Sequence, residues 1–168
     1  MGLDLSLTGT GVCVLSRTRI RYRYLQTDLA HNLPKRADSQ IYNGKFYGSD
    51  EERIAYIVLT IMEEWRDSHP DLVLIEGYSY GSKGRALSGL HELGGVMKHH
   101  LWGSEVLWLP IAPSTNKTYA TGNHQATKDQ MLDRAREMWP TCPNHDVADA
   151  FLLARYGLRR YPELVEAA

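Results

Sequence analysis

The order of segments predicts an α/β fold, with an antiparallel edge on a partly parallel sheet. Three short strand-like runs fill the first 25 residues, close enough together to form a meander. After residue 50, segments with a helical apolar period alternate with short continuous apolar runs. Two of the strand-like runs carry carboxylates, Asp4 and Glu76, which are poor strand residues and costly to bury beside Leu, Ile and Val.

Residues 2–7 read as the first strand. Thr8-Gly9-Thr10-Gly11 reads as a tight turn, and Val12 to Leu15 as the second strand, with a hairpin turn near Ser16 to Thr18. Arg19 to Leu25 alternates strictly, so Arg19, Arg21 and Arg23 share one face and Ile20, Tyr22 and Tyr24 the other. Residues 28–49 are polar and rich in turn formers, which predicts a long loop. Asp50 to Ser68 follows as a helix: Ser49 caps it with Glu52 three residues on, and Ile54, Ile57, Val58, Ile61, Met62 and Trp65 form its stripe. Pro70 ends it. Leu72 to Ile75 is a continuous apolar run of the kind a buried parallel strand shows, and Gly77 to Gly84 is a loop. Arg85 to Trp102 is a helix with Leu87, Leu90, Leu93, Met97 and Leu101 inward and Gly94-Gly95 permitting close packing. Val106 to Leu109 is another buried strand, and Pro110 to Gly122 is mostly irregular. Gln125 to Trp139 and His145 to Leu158 are the last helices; the tail after Arg160 is peripheral. Without internal repeat, low-complexity tract or linker, residues 1–168 are expected to form a single domain.

Composition narrows the class. With 43% hydrophobic and 23% charged residues among 168, the chain is expected to be globular and soluble. No apolar run approaches the roughly 20 residues that span a membrane, and no secretory signal is visible. Two cysteines, Cys13 and Cys142, suggest no disulfide framework and fit a reducing, cytoplasmic setting. The opening Met1-Gly2-Leu3-Asp4-Leu5-Ser6 formally matches a myristoylation pattern, but Gly2 leads straight into a core strand and leaves no free tail. The net charge of −1 does not announce a nucleic-acid binder. Its distribution says more: six basic residues face one acid, Asp28, between Arg17 and Arg36, and Ser114 to Lys128 holds two lysines and no acid.

Four carboxylates carry the chemistry. Asp4 and Glu76 adjoin core strands, while Asp146 and Asp149 are three apart at the start of an apolar helix and so share a face. Active residues of open α/β sheets gather where strand ends meet loop crevices. If the last helix starts near the sheet, all four converge, and their mutual repulsion calls for cations. Hard divalent ions such as Mg²⁺ take oxygen ligands, and a carboxylate-held pair of them serves phosphodiester hydrolysis or transfer. Taken singly, Asp146 is equally a first-turn acid that stabilises its helix by roughly 1 kcal/mol.

This pattern resembles the RNase H-like superfamily, and within it the RuvC-type Holliday junction resolvases of bacteria and their phages. The resemblance spans Gly2 to about Gly157: the Gly2-Leu3-Asp4-Leu5-Ser6 opening with Gly9 and Gly11, then Leu74-Ile75-Glu76, then Ala112-Pro113-Ser114-Thr115-Asn116-Lys117 with Gly122, Ala126 and Lys128, and last His145-Asp146-Val147-Ala148-Asp149-Ala150. It implies an RNase H-like mixed sheet, a three-strand antiparallel meander plus parallel strands, flanked by helices. It implies that Asp4, Glu76, Asp146 and Asp149 ligate two Mg²⁺ (or Mn²⁺) ions, with Lys117 catalytic. It also implies a homodimer, through the helix Arg85 to Trp102, that nicks a four-way or other branched DNA symmetrically as a crossover junction endodeoxyribonuclease. Lys117, Lys128, Lys83 and Arg85 would contact DNA. The resemblance further implies an aromatic wedge after the strand-end glutamate; Tyr78 and Tyr80 both stand there, and the offset does not choose between them.

Other assignments stay open on the sequence. His145 is a ligand, a general base or a capping-turn residue. The row Arg17, Arg19, Arg21, Arg23 either protects an edge strand from aggregation or binds DNA backbone. Asp4-Leu5-Ser6-Leu7-Thr8-Gly9-Thr10-Gly11 also looks like the phosphate loop of actin-like kinases, but those need two such domains and no late Asp-x-x-Asp pair. A nuclease of the same fold acting on structured RNA or replication forks is the nearer alternative.

Overall fold

A computed structural model describes residues 1–27, 41–42, 49–77 and 85–164. Its strands are β1 (Gly2–Asp4), β2 (Gly9–Leu15), β3 (Ile20–Gln26), β4 (Ile41–Tyr42), β5 (Val73–Glu76) and β6 (Trp108–Ile111). Its helices are α1 (Asp50–Ser68), α2 (Arg85–Gly103), α3 (Pro113–Thr121), α4 (Lys128–Met138) and α5 (His145–Arg160). The strands form one mixed sheet in the order β4-β3-β2-β1-β5-β6. β1, β2 and β3 are an antiparallel meander; β5 lies parallel to β1 and β6 parallel to β5.

Alternation along the strands sorts the side chains onto two faces. Leu3, Val12, Leu25 and Ile75 meet Ile57 and Ile61 of α1 and Leu93, Met97 and Leu101 of α2. On the other face Cys13 meets Val147, Phe151 and Leu152 of α5 and Met131 of α4. Each of the fully buried Leu, Ile and Phe side chains contributes roughly 1.5–3 kcal/mol over its exposed state.

The structure corrects several boundaries. Gly9 to Gly11 are not a turn but the start of β2, paired with Tyr24 to Gln26. β6 lies two residues later than expected, and α4 begins at Lys128 rather than Gln125, where Thr127 and Gln130 form a capping box. The segment expected to be irregular contains α3, whose polar, Thr-rich face gives little helical period; Pro113 in its first turn and Gly122 at φ 78° beyond its end were the legible signals. Within the expected loop 28–49, residues 41–42 pair with β3, so β3 is not an edge strand. The rest of that loop, and the loop 78–84, lie outside the described residues.

Candidate active site

Register brings the first two carboxylates together. Leu3 pairs with Ile75 in parallel β1 and β5, which places Asp4 and Glu76 side by side at the C-terminal ends of neighbouring strands. Both point to the α5 side, opposite Leu3 and Ile75. α5 then delivers the other two, and three glycines allow it. A Cβ on Gly2 would lie 2.1 Å from the Ala150 carbonyl oxygen, and one on Gly11 2.1 Å from that of Asp146. A Cβ on Gly9 would lie 2.9 Å from Asp146 Oδ2. Gly2 and Gly11 are glycine because the backbone of α5 presses on them, while Gly9 leaves room for the Asp146 carboxylate and the Tyr24 ring. Asn144 caps the helix by accepting from the Val147 N–H at 2.9 Å, so Asp146 stands in its first turn and Asp149 one turn on.

The cluster is short of positive charge. Burial, then Glu76, Asp149 and Asp146, push the Asp4 carboxyl well above its usual range, with Lys128 opposing. Asp149, only 9% exposed, is pushed up to about 7 by burial and by Glu76. Burial also raises Glu76, against hydrogen bonding from Asp4 and Asn116 and the pull of Lys117 and Lys128. Burial would lower the Lys128 ammonium, but Asp146 outweighs it and raises the pKa; its Nζ lies 3.3 Å from Asp146 Oδ1.

A cleft of about 440 Å³ opens over the cluster, lined by Asp4, Glu76, Asp149, Lys117 and Lys128 together with Leu90, Gly94 and Lys98 of α2. A second cavity, about 420 Å³, lies at the other end of the sheet beside Arg17, His69 and Leu158 and holds none of the four carboxylates. His145 turns away from the cleft residues and meets Asp129, Nε2 to Oδ1 at 2.9 Å, tying the starts of α4 and α5 together.

Three cleft or near-cleft residues escaped sequence reasoning. Lys98 sits on α2, where an isolated lysine carries no pattern. Tyr24 packs against the core on the α5 side and also sets its hydroxyl against Asp146 as a hydrogen-bond partner. Asn116 is fully buried; its Nδ2 donates to the Asp149 carbonyl at 3.2 Å, and its Oδ1 has no partner among the described residues. A buried acceptor left unpaired costs about 1–3 kcal/mol. Only α3 as a helix turns Asn116 and Lys117 different ways.

Arg21 and Arg23 resolve otherwise than either sequence reading. They form ion pairs with Glu64 of α1, which is 2% exposed, so they face a packed helix. Tyr78, Tyr80 and Lys83 lie outside the described residues, as does the side chain of Arg85. The phosphate-loop alternative loses its donors: the N–H of Ser6 goes to Thr10 Oγ1, and those of Thr8 and Gly9 to Ser6 Oγ.

Solved structures match this architecture. The Thermus thermophilus RuvC structure superposes with a TM-score of 0.63 at 17% identity, over 95% of this chain and 94% of that one. The fold is the RuvC fold. T. thermophilus RuvC in complex with a Holliday junction substrate gives 0.68 at 15% identity, over 95% and 93% of the two chains. Ydc2, the yeast mitochondrial Holliday junction resolvase, gives 0.59 at 14% identity, over 99% and 80%. No protein-family model and no curated protein sequence matches the chain.

Within this RuvC fold the donor set is all carboxylate oxygen, which suits a hard divalent cation and not a soft metal. The raised carboxyls of Asp4, Glu76 and Asp149 fit such a cation on electrostatic grounds. Among the described residues no three His, Cys, Asp or Glu side chains already stand as a finished cage. Lys128 meets Asp146 at the edge of the cluster, Nζ to Oδ1 at 3.3 Å.

Proposed function

We propose that this protein is a Mg²⁺- or Mn²⁺-dependent structure-selective endonuclease that resolves four-way DNA junctions. The observation that carries the reading is the convergence of Asp4, Glu76 and Asp149 in one cleft with too little positive charge, on a RuvC fold. Asp4, Glu76, Asp146 and Asp149 would hold two such ions. Bound there, the ions supply Lewis-acid stabilisation of the attacking and leaving oxygens of a phosphodiester.

The chain's own residues do the rest. Lys117 and Lys128 flank the acids in the cleft and bind the scissile phosphate. Lys128, which stands 3.3 Å from Asp146, would be within the cleft to meet the phosphate. Tyr24 orients Asp146 through its hydroxyl. The apolar walls, Leu5, Ile75 and Met131, limit water around the charges. The expected product is a 5′-phosphate and a 3′-hydroxyl at each nick.

Two nicks at symmetric positions call for two sites, and a two-fold substrate is matched by a two-fold protein. Val96 of α2, Leu59 of α1 and Trp102 at the end of α2 are exposed apolar side chains that a second copy would cover. Gly95 faces open space, where a Cβ would meet nothing. A homodimer through α1 and α2 is therefore part of the proposal, and a reducing, cytoplasmic setting goes with it.

The test is single-turnover cutting of a synthetic junction and of linear duplex at one salt concentration. The reading expects rapid, paired nicking of the junction and little cutting of duplex. Equal rates on both would make the protein a less selective nuclease of the same fold.

A further inference from the structure

Among the described residues, Asn116 is a fully buried polar side chain in contact with the carboxylate cluster. It sits on α3 one residue before Lys117, with its amide on two of the elements that carry acids. Its Nδ2 donates to the backbone carbonyl of Asp149 on α5, and its side chain bears on the Glu76 carboxylate at the end of β5. An apolar side chain would fill the same space without stranding an acceptor, so packing alone does not account for an amide here. A lysine would bring charge into a site with no solvent to share it. A neutral donor orients a carboxylate without neutralising it, and so leaves its charge for a cation.

We propose that Asn116 is a positioning residue for the cation site: it fixes Glu76 and the Asp149 turn of α5 relative to each other, and thereby sets the affinity for divalent metal. The inference rests on the metal-site reading above. Partners of this kind, which touch ligands rather than the ion, typically change metal affinity or activity about 10–100-fold when removed.

The experiment is a Mn²⁺ titration, by calorimetry or by electron paramagnetic resonance, of wild type and Asn116→Leu, with thermal melting of both proteins without metal. Asn116→Leu is expected to melt no lower than wild type, to bind Mn²⁺ at least about 10-fold more weakly, and to bind junction DNA in the absence of metal as wild type does. A purely structural Asn116 would show the reverse, a lower melting temperature with Mn²⁺ affinity within twofold of wild type, and that result overturns the proposal. If Asn116→Leu does not fold, Asn116→Ala is read against the same thresholds. Wild type that takes up no Mn²⁺ overturns the metal-site reading together with this one; normal uptake by wild type with unchanged affinity in the variant overturns the Asn116 assignment alone.

Discussion

Glu64 and Asp149 are both buried acids, and the protein treats them in opposite ways. Glu64, on the face of α1 that packs against β3, is met by two guanidinium groups, Arg21 at 2.9 Å and Arg23. Its charge is matched on the spot by both guanidinium groups. Asp149, across the sheet, has acids for neighbours, and its carboxyl is pushed up to about 7, by burial first and then by Glu76. The cations near it are lysines, and Lys128 is drawn to Asp146. One acid is a finished structural contact. The other belongs to a cluster that the fold assembles and then leaves short of charge. A functional site is marked by the second condition, because folding alone has no reason to keep it.

That contrast can be broken at five residues. Asp4→Asn is expected to take metal-dependent junction cutting below detection while the protein stays folded and binds junction at least as tightly, since negative charge near phosphates is removed. Gel-shift and cutting assays on the same preparation check both halves. Glu64→Ala is expected to act on the fold instead, losing about 3 kcal/mol, the low end of the cost of breaking a buried pair, because both arginines keep some solvent. Urea unfolding measures it, and the folded fraction should still cut.

The two basic groups separate in the same way. Lys117→Ala should slow single-turnover cutting about 10²-fold, as removal of one transition-state donor does. Arg21→Ala should leave the cutting rate of folded protein within about twofold, because its partner is Glu64 and not a phosphate.

The last effect is on pH. Asp149 has a folded pKa of about 7, above its unfolded value near 4, so between these limits the native state binds more protons than the unfolded one. Its contribution therefore falls as pH rises from about 4 to about 7 and is flat beyond. Metal-free Asp149→Asn should match wild type near pH 4 and exceed it by roughly 2 kcal/mol at pH 8, less than an isolated shift would give because its neighbours titrate with it. Melting curves at both pH values, in the presence of a chelator, test the sign.

Much of this arrangement was legible beforehand, and the misses have physical causes. The period of α1, with its Ser49 cap, and the apolar runs of β1 and β5 stand out because burial on one or both faces imposes them. Gly9 and Gly11 were visible but misread. Turn glycines and glycines that admit a helix look alike until α5 is placed against β2. α3 was missed because its helicity comes from its place between β6 and α5 rather than from an apolar stripe. The arginine row was misjudged because alternation gives a residue's face and not what covers it; Glu64 is 41 residues from Arg23. Asp4, Glu76, Asp146 and Asp149 could be singled out because carboxylates at the ends of core elements are rare enough to need a reason. Asn116 and Tyr24 act on them through contacts that only the fold creates.

The central claim is that the uncompensated acids form a cation-dependent junction-cutting site. It is tested most directly by incubating wild type and Asp4→Asn with a fixed four-way junction, with and without Mg²⁺, and resolving the strands on a denaturing gel. The account predicts paired nicks in opposed strands of like polarity for wild type with Mg²⁺, and none without the metal or with Asp4→Asn. Nicks that persist in a chelator, or that Asp4→Asn makes at the wild-type rate, would contradict it.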